Sequence, residues 1–400
     1  MSKLYWQMPA PLEADLEVLE CREEEGRFHL RCEPGLFYPE SGGQRSDRGT
    51  LGGHRVLDCY TKDGADWLIL DADPGVGKHP ARVDADLRRD HAEQHSAQHL
   101  LSGLAFREFD IQTLSFHMGE DVSTLELDHP PLPEDRLRDF EDRAAALIRR
   151  NLIIEALYPE NEDWKKLPLR RPPQVSEGVR VLHIQDLDHA PCGGTHLSST
   201  AEIGSIRILR QEKIRGHLRL EFLAGERARQ AGRRDAGRIA ELSRLFQTGS
   251  AEVPERAEGL ISECRDLRRE VKKLKESVLK QESRELEQEE WLQKEGWEIL
   301  LRDFGERSPG ELDALSRELC AEPGRLLLLS SRQGDQLHVL AQRSRGEGPS
   351  LGSCLGEVLR ERDGRGGGGE DRAQGVLSFS NENDVLVALL NGIFPGEDSE

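Results

Sequence analysis

Two short motifs, far apart in the chain, carry side chains that bind transition metals. His95 and His99 are four residues apart, and on a helix this spacing places both imidazoles on one face. Cys192 and His196 flank a Gly-Gly-Thr tripeptide, whose glycines let a short loop point both side chains inward. Neither motif is specific alone, because paired histidines are common and a buried cysteine is usually a small hydrophobic residue. Together they offer three nitrogens and one sulfur, which predicts one zinc ion (Zn2+) per chain.

The residue that follows His95 excludes a zincin-type metalloprotease. In those enzymes a glutamate directly follows the first histidine and acts as the general base, whereas Ser96 follows His95 here. His91 lies one helical turn before His95, but four ligands already complete a tetrahedron. We therefore expect His91 to lie outside the ligand set, either behind a ligand or exposed.

A β-rich segment, residues 1–89, is the first element that must position these ligands. Leu16 and Val18, then Phe28 and Leu30, alternate on either side of an acidic turn at residues 23–26. A second hairpin is expected between residues 56–60 and 67–70, around a turn at residues 62–65. Short strands with glycine-rich connections predict a small β-barrel, which includes a Gly-Gly-Gln loop.

Residues 90–225 predict an α+β domain that contains both metal motifs. Leu100, Leu101 and Leu104 continue the helical spacing beyond the two histidines. A second helix is expected at residues 133–150, and strands are expected at 124–127, 179–184 and 203–210. Runs of helix and strand in this order favour an α+β arrangement.

Residues 226–294 predict a charged helical linker. Its apolar positions step by four and three, as in a coiled-coil seam. They are Leu260, Cys264, Leu267, Val271, Leu274 and Val278. The seam is short, so we expect an antiparallel hairpin rather than an extended coiled coil.

Residues 295–400 predict a C-terminal α/β domain. A hairpin is expected across residues 332–335, and helices are expected at 351–361 and 385–391. The glycine run at residues 364–369 looks too rich in glycine for regular structure. With the three preceding segments, the predicted fold class is α+β and multidomain.

The composition of the chain argues against several classes of protein. No run of about 18 apolar residues marks a membrane span, and the first residues lack the apolar core of a secretory signal. Seven scattered cysteines do not form a disulfide framework, so we expect a cytoplasmic protein. The net charge of −20 argues against binding nucleic acid over the whole surface.

One stretch runs against this acidic balance. Residues 205–238 contain ten arginines and lysines against four acidic residues, a local charge of +6. Such a stretch is expected where a protein contacts tRNA phosphates, although an exposed helix with solvated charges is the alternative.

Several motifs resemble the editing half of alanyl-tRNA synthetases. Residues 37–44 (FYPESGGQ), followed by Asp47 and Gly49, are similar to that family's editing signature, and the two metal motifs match its zinc motif. Residues 213–222 are similar to its closing strand, and the glycine run ending at residue 375 resembles its C-terminal tRNA-binding domain. The chain therefore resembles a free-standing alanyl-tRNA editing protein of the long AlaX type.

The resemblance implies hydrolysis of the ester that links serine or glycine to alanine tRNA. It implies catalytic roles for Gln44, Gly43 and His117, and substrate-pocket roles for Thr113, Ser115 and Thr195. Predicted tRNA contacts are Lys213, Arg215, Arg219, Arg365, Gly367 and Gln374. Gln44 would donate to the ester carbonyl or position water; a simple barrel turn is the alternative. A homodimer through the helical hairpin and C-terminal domain is expected.

Two other functions remain to be weighed. A non-catalytic tRNA-binding protein with a structural zinc ion differs from the deacylase only through Gln44 and the editing signature. A phosphodiesterase of the DHH class requires consecutive Asp-His-His, and Asp90-His91-Ala92 supplies one histidine where two are needed. We therefore favour the deacylase.

Overall fold

The fold is mixed α+β and divides into two compact units, Met1–Ser250 and Ala251–Glu400. The structure is a computed structural model that describes residues 3–175, 177–378 and 385–395. Of the four predicted segments, the helical linker at residues 226–294 is divided between the two units. None of the helices in the described ranges has both the length and the apolar character needed to cross a membrane.

The first unit begins with a closed β-barrel, which confirms that prediction. Its strands are β1 (Glu13–Glu24), β2 (Arg27–Glu33), β3 (Gly49–Leu51), β4 (His54–Lys62), β5 (Ala65–Leu70) and β6 (Gly77–Val83), closed in the order β1-β2-β5-β4-β3-β6. Both predicted hairpins form, because Glu25-Gly26 and Asp63-Gly64 adopt the positive φ angles that a tight hairpin turn requires. Alternate residues, such as Leu30 and Leu70, fill the barrel core.

The rest of the first unit packs two sheets and two helices around a central helix. Its elements are α1 (Ala85–Phe109), β7 (Thr113–Met118), β8 (Ser123–Leu127), α2 (Glu134–Arg149), β9 (Ile154–Leu157), β10 (Val181–Ile184), β11 (Asp188–Pro191), β12 (Ile206–Ile214), β13 (His217–Ala224) and α3 (Gly225–Phe246). The sheets have the orders β12-β13-β8-β7 and β11-β10-β9. The predicted helices and strands are confirmed, although Ile203 lies in a 3-10 turn that delays the start of β12.

Helix α1 is the element that organises this unit. Asp84 caps its N-terminus by accepting hydrogen bonds from the backbone N–H groups of Asp86 and Leu87. Every residue from His91 to Ala105 is buried, so the helix is surrounded on all sides. Its polar side chains must therefore find partners inside the protein, and this constraint shapes the site described below.

The second unit is a six-stranded sheet with helices on both faces. Its elements are α4 (Val253–Glu287), β14 (Leu292–Lys294), β15 (Trp297–Asp303), α5 (Pro309–Leu319), β16 (Arg325–Gln333), β17 (Gln336–Arg343), α6 (Leu351–Arg360), β18 (Arg365–Gly368), β19 (Arg372–Ser378) and α7 (Val385–Ile393). The order is β14-β15-β16-β17-β19-β18, with β15 and β16 parallel. The β16–β17 hairpin and the helices α6 and α7 confirm the predictions for this segment.

The prediction that the glycine run is irregular was wrong. Residues 365–368 form the edge strand β18, which pairs with β19 in antiparallel register. A Cβ added to Gly366 would lie 2.5 Å from Leu359 Cδ1 and 2.6 Å from Gly375 Cα. Glycine is therefore required at position 366, because strand β18 and helix α6 approach each other too closely to leave room for a side chain.

The apolar seam predicted in the linker lies on one continuous helix, α4. Its leucines and valines are exposed, with Val278 at 63% and Leu274 at 57%. The connection between α3 and α4, at residues 247–252, contains the boundary between the two units.

Candidate metal centre

The four predicted metal ligands meet in the first unit. His95, His99, Cys192 and His196 each direct one ligand atom into a group whose atoms all lie within 4.8 Å of one another. The Sγ atom of Cys192 is 3.4 Å from His95 Nε2 and 3.5 Å from His196 Nε2. A tetrahedron with Zn–S near 2.3 Å and Zn–N near 2.0 Å has an S···N edge of about 3.5 Å. The spacing therefore fits a tetrahedral metal ion.

Both helix imidazoles are held in the orientation that metal binding needs. His95 Nδ1 lies 2.7 Å from the Gln44 side-chain oxygen, which can only accept, so Nε2 carries the free lone pair. His99 Nδ1 lies 3.3 Å from Asp188 Oδ2, and Arg170 fixes that carboxylate at 3.0 Å. The Nε2 atom of His99 is buried and has no partner among the described residues. A hydrogen-bonded Nδ1 behind a free Nε2 is the usual arrangement of a metal-binding histidine.

The loop that carries Cys192 and His196 is fixed by its backbone. Arg180 donates from Nη1 to the carbonyls of Cys192, at 2.9 Å, and Gly194, at 3.0 Å. A Cβ on Gly194 would lie 2.3 Å from the His95 ring, so only glycine permits this approach. The loop therefore presses directly against the ligands on α1.

The pKa shifts of Cys192, His95 and His196 favour the forms that bind a metal, whereas the shift of His99 favours a proton that a metal would displace. Burial lowers the pKa of His95, and it lowers the pKa of His196 to about 3, so both imidazoles are neutral. Burial raises the pKa of the Cys192 thiol, but the neighbouring imidazoles outweigh this and hold it well below its usual range. Burial lowers the pKa of His99, and the nearby Cys192 and Asp188 more than compensate, so it is raised. Thiolates and neutral imidazoles are the forms that bind metals.

Gln44 is buried completely, and both the oxygen and the nitrogen of its side chain have hydrogen-bond partners. Besides facing His95, its oxygen accepts from the Thr195 backbone N–H at 3.0 Å. Its Nε2 donates to the Thr195 hydroxyl at 2.9 Å. Gln44 and Thr195, predicted as a catalytic and a pocket residue, therefore both lie at the cluster.

A buried ion pair anchors the loop that contains Gln44. Arg88, on α1, donates to Asp47 at 2.5 Å, and both side chains are almost inaccessible to solvent. Asp47 also accepts from the Tyr38 backbone N–H at 2.6 Å, and Arg88 donates to the Leu36 carbonyl at 2.9 Å. The helix that carries His95 thus also holds the loop that orients His95.

The remaining predicted catalytic and pocket residues lie on or beside β7. The Phe116 ring stacks on His95 at 5.5 Å, so this residue faces the cluster. Ser115 and His117 flank Phe116 in the strand and are exposed on the opposite face, where Ser115 donates to Glu126. The structure does not bring these two residues to the cluster.

Thr113 begins the same strand, and Gly43 lies beside the end of it. A bulge separates Thr113 from Ser115, and the Thr113 hydroxyl donates to Ser102 of α1 at 2.8 Å. The Gly43 carbonyl accepts from the Met118 backbone N–H at 2.8 Å. Gly43 therefore joins the Gln44 loop to β7.

Most of the basic stretch at residues 205–238 is neutralised in the structure. Six of its ten basic residues form ion pairs, and they are Arg207, Arg210, Arg219, Arg227, Arg229 and Arg238. Arg219, a predicted tRNA contact, pairs with Glu126 at 2.5 Å. Lys213 and Arg215 are exposed and form no ion pair within the described ranges.

The predicted tRNA contacts of the C-terminal unit lie on β18, the edge strand of its sheet, and on its neighbour β19. Arg365 and Gln374 line a cavity of ≈ 410 Å³, together with His338 and Leu312. Gly367, on the edge strand β18, is exposed beside this cavity.

Sequence reasoning missed the residues that support the ligands. Asp188 and Arg170 orient His99, and Arg180 holds the loop carbonyls. Each is one charged residue in an ordinary strand or loop sequence, and no spacing marks it. The burial of all three becomes visible only in the folded chain.

Comparisons with known proteins agree with the geometry. The family model of the threonyl and alanyl tRNA synthetase second additional domain matches residues 179–220, which include Cys192 and His196. An alanyl-tRNA editing protein AlaX-L from Pyrococcus horikoshii is 27% identical over 97% of this chain and 98% of its own length. The alanyl-tRNA editing protein Aarsd1 of Mus musculus is 27% identical over 98% of this chain and 94% of its own.

Longer proteins and one solved structure are also similar. An alanine–tRNA ligase from Archaeoglobus fulgidus is 30% identical over 97% of this chain, which spans 43% of the ligase. The crystal structure of the C-Ala domain from Aquifex aeolicus alanyl-tRNA synthetase matches 25% of this chain and 93% of its own, at 26% identity and a TM-score of 0.23. Along nearly its whole length, the chain resembles the alanyl-tRNA editing proteins of the long AlaX type.

Proposed function

We propose that this protein is an aminoacyl-tRNA deacylase that acts in trans on mischarged alanine tRNA, removing serine or glycine. The observation that carries the proposal is the cluster of four ligands, with two imidazoles held from behind by Gln44 and Asp188. The relatives that match this chain end to end are named for alanyl-tRNA editing, which supports the same reaction.

Zinc is the metal that this ligand set suits best. Three imidazole nitrogens and one thiolate in a tetrahedral arrangement match its ligand and geometry preferences. When bound, a zinc ion would supply positive charge that holds the amino group or ribose of the substrate, or polarises a water. Four protein ligands fill the tetrahedron, which favours an orienting role.

Gln44 and Thr195, which are hydrogen-bonded to each other, would have different roles at the cluster. The Gln44 side-chain oxygen faces His95 and the Thr195 backbone N–H, and its nitrogen donates to the Thr195 hydroxyl, so we assign Gln44 the role of positioning His95. The Thr195 hydroxyl accepts from Gln44 and keeps its own hydrogen, which it can donate to a substrate oxygen. A hydrogen bond to the serine hydroxyl would favour the seryl ester over the alanyl ester.

The C-terminal unit would hold the body of the tRNA. Arg365 is exposed beside the cavity at the glycine-rich edge of the sheet, where backbone and charge are both accessible to phosphate. The exposed apolar seam of α4 would bring two copies of the chain together as a homodimer. Sedimentation of the protein over a range of concentrations tests this assembly.

Side-by-side hydrolysis of Ser-, Gly- and Ala-charged alanine tRNA tests the function directly. We expect the zinc-loaded protein to release serine or glycine much faster than alanine, and the Cys192→Ala variant to release neither. Exposed Cys264 provides the matched control, since Cys264→Ala leaves the cluster intact. Tight tRNA binding with no ester hydrolysis would instead identify a non-catalytic tRNA-binding protein with structural zinc.

A further inference from the structure

An aromatic surface lies directly beside the metal ligands. Trp6, at the end of a 3-10 turn (Leu4–Trp6), donates from Nε1 to the Gly193 carbonyl at 3.0 Å, and Gly193 follows the ligand Cys192. Tyr158, which follows β9, donates from its hydroxyl to the Trp6 carbonyl at 2.7 Å. We call the two rings of Trp6 and Tyr158 the aromatic platform.

The platform is open to solvent. Tyr158 is 55% exposed, and it is the only exposed residue among the phenylalanines, tyrosines and tryptophans that the structure describes, while Trp6 is half-buried. The two ring centroids are 6.4 Å apart and the planes are tilted by 40°, so neither ring covers the face of the other. The Lys3 ammonium lies 4.9 Å from the Trp6 ring centroid. Exposed aromatic rings beside a positive charge are the combination that binds single-stranded nucleic acid.

We propose that the aromatic platform stacks against the base of the terminal adenosine of the substrate tRNA. The inference rests on the proposed function and extends it. The ester that is cut lies on the ribose of that nucleotide, so its base is one sugar away from the reacting bond. A substrate ester at the metal cluster would place this base within reach of the loop that Trp6 contacts. Lys3 would then face the terminal phosphate.

The competing explanation is that Tyr158 only ties down the N-terminal turn through its hydroxyl group. The two explanations assign importance to different parts of one side chain. Stacking needs the ring and not the hydroxyl, whereas a tether needs the hydroxyl and not the ring. Tyr158→Phe and Tyr158→Leu separate them. Trp6 is unsuitable for this test, because its ring also supports Gly193.

Steady-state hydrolysis of Ser-charged alanine tRNA by the full-length, zinc-loaded protein gives the first readout. Tyr158→Leu should raise KM about tenfold, within the range for losing one base–aromatic stack, and leave kcat within about twofold. Tyr158→Phe should keep the wild-type KM. Ile153→Ala, which trims a 57% exposed apolar residue at the opposite end of β9, is the control and should change neither constant.

A binding measurement that needs no catalysis gives the second readout. Uncharged alanine tRNA with 2-aminopurine in place of its terminal adenine should lose fluorescence when it binds wild type and Tyr158→Phe, and much less when it binds Tyr158→Leu. A Tyr158→Leu variant with wild-type KM and quenching, or a Tyr158→Phe variant that behaves like Tyr158→Leu, would overturn the inference. Absence of hydrolysis by the wild-type protein would overturn the proposed function alone, since the quenching still decides whether the base stacks.

Discussion

At the scale of single residues, Gln44 shows how position decides a role. Its type and its glycine-flanked loop predict a side chain that reaches for the substrate, yet it is buried against His95 and Thr195. The loop that carries it is tied by Asp47 to α1. Its contribution to catalysis would therefore pass through the metal ligand that it orients.

Replacing Gln44 by alanine should weaken metal binding. Removal of the group behind a metal-binding histidine typically costs roughly 10- to 100-fold in affinity, and His95 loses its acceptor in this variant. Competition with a chelator of known affinity measures the effect. Gln44→Glu keeps an acceptor oxygen and should recover most of the affinity. If both variants hold metal as wild type does, Gln44 has no part in orienting His95.

Removing the thiolate should remove the metal. Cys192→Ala leaves three imidazoles, and we expect metal content measured by mass spectrometry to fall from about one ion per chain to near zero. Cys264→Ala, on the exposed surface, should retain the ion. A Cys192→Ala protein with full metal content would show that the ion is held elsewhere.

Loss of Asp47 should destabilise the first unit strongly. Asp47→Ala leaves Arg88 buried without its counter-ion, and breaking one side of such a pair costs roughly 3–5 kcal/mol. Urea unfolding measures the change. Asp71, which pairs with the largely exposed Arg55, gives a matched control, and Asp71→Ala should change stability far less. Equal losses in the two variants would contradict a special role for the buried pair.

The ligands themselves could be predicted from sequence, and their supports could not. Residue type and spacing were sufficient to predict the four ligands, which are His95, His99, Cys192 and His196. Asp188 becomes a partner of His99 only because β11 lies against α1, and that contact spans 89 positions in the chain. Spacing rules describe neighbours within one element, so they carry no information about such a pair.

At the scale of elements, the glycine-rich edge strand makes a sharp prediction. Gly366→Ala should lower the stability of the second unit by roughly 1–3 kcal/mol, because its methyl group would overlap Leu359 and Gly375. A methyl group on the next residue, Gly367, meets nothing within 4 Å, so Gly367→Ala should be close to neutral. Thermal unfolding of both variants measures this difference in stability. Similar transitions for the two would mean that close packing does not explain the glycines.

The same strand shows why some elements escape prediction. Hairpins are predicted well when the turn is local, as at Asp63-Gly64, where two residues fix the register. Strand β18 has no apolar alternation, and its pairing depends on β19 and on the proximity of Leu359 in α6. Its structure is imposed by tertiary contacts, which local composition does not contain.

At the scale of the molecule, we expect the first unit to carry out ester hydrolysis and the second unit to contribute to tRNA binding. A shortened chain ending at Ser250 keeps the barrel and all four ligands, so we expect it to bind metal and hydrolyse the ester. It should bind alanine tRNA more weakly, with a shallower dependence of affinity on salt, because it contacts fewer phosphates. Filter binding over a salt series provides the comparison. Unchanged affinity and slope would mean that the C-terminal unit does not contact the tRNA.

The arrangement of the ligands along the chain also has a consequence for unfolding. His95 and Cys192 are 97 positions apart, so a metal held by both would act as a cross-link that closes a loop containing α2 and strands β7 to β11. Closing a loop of about 100 residues removes conformational entropy from the unfolded chain, worth about 4.7 kcal/mol by the chain-entropy relation for disulfides. The barrel strands precede this loop and would gain nothing directly. Chelation should therefore expose the looped segment to proteases before it exposes the barrel.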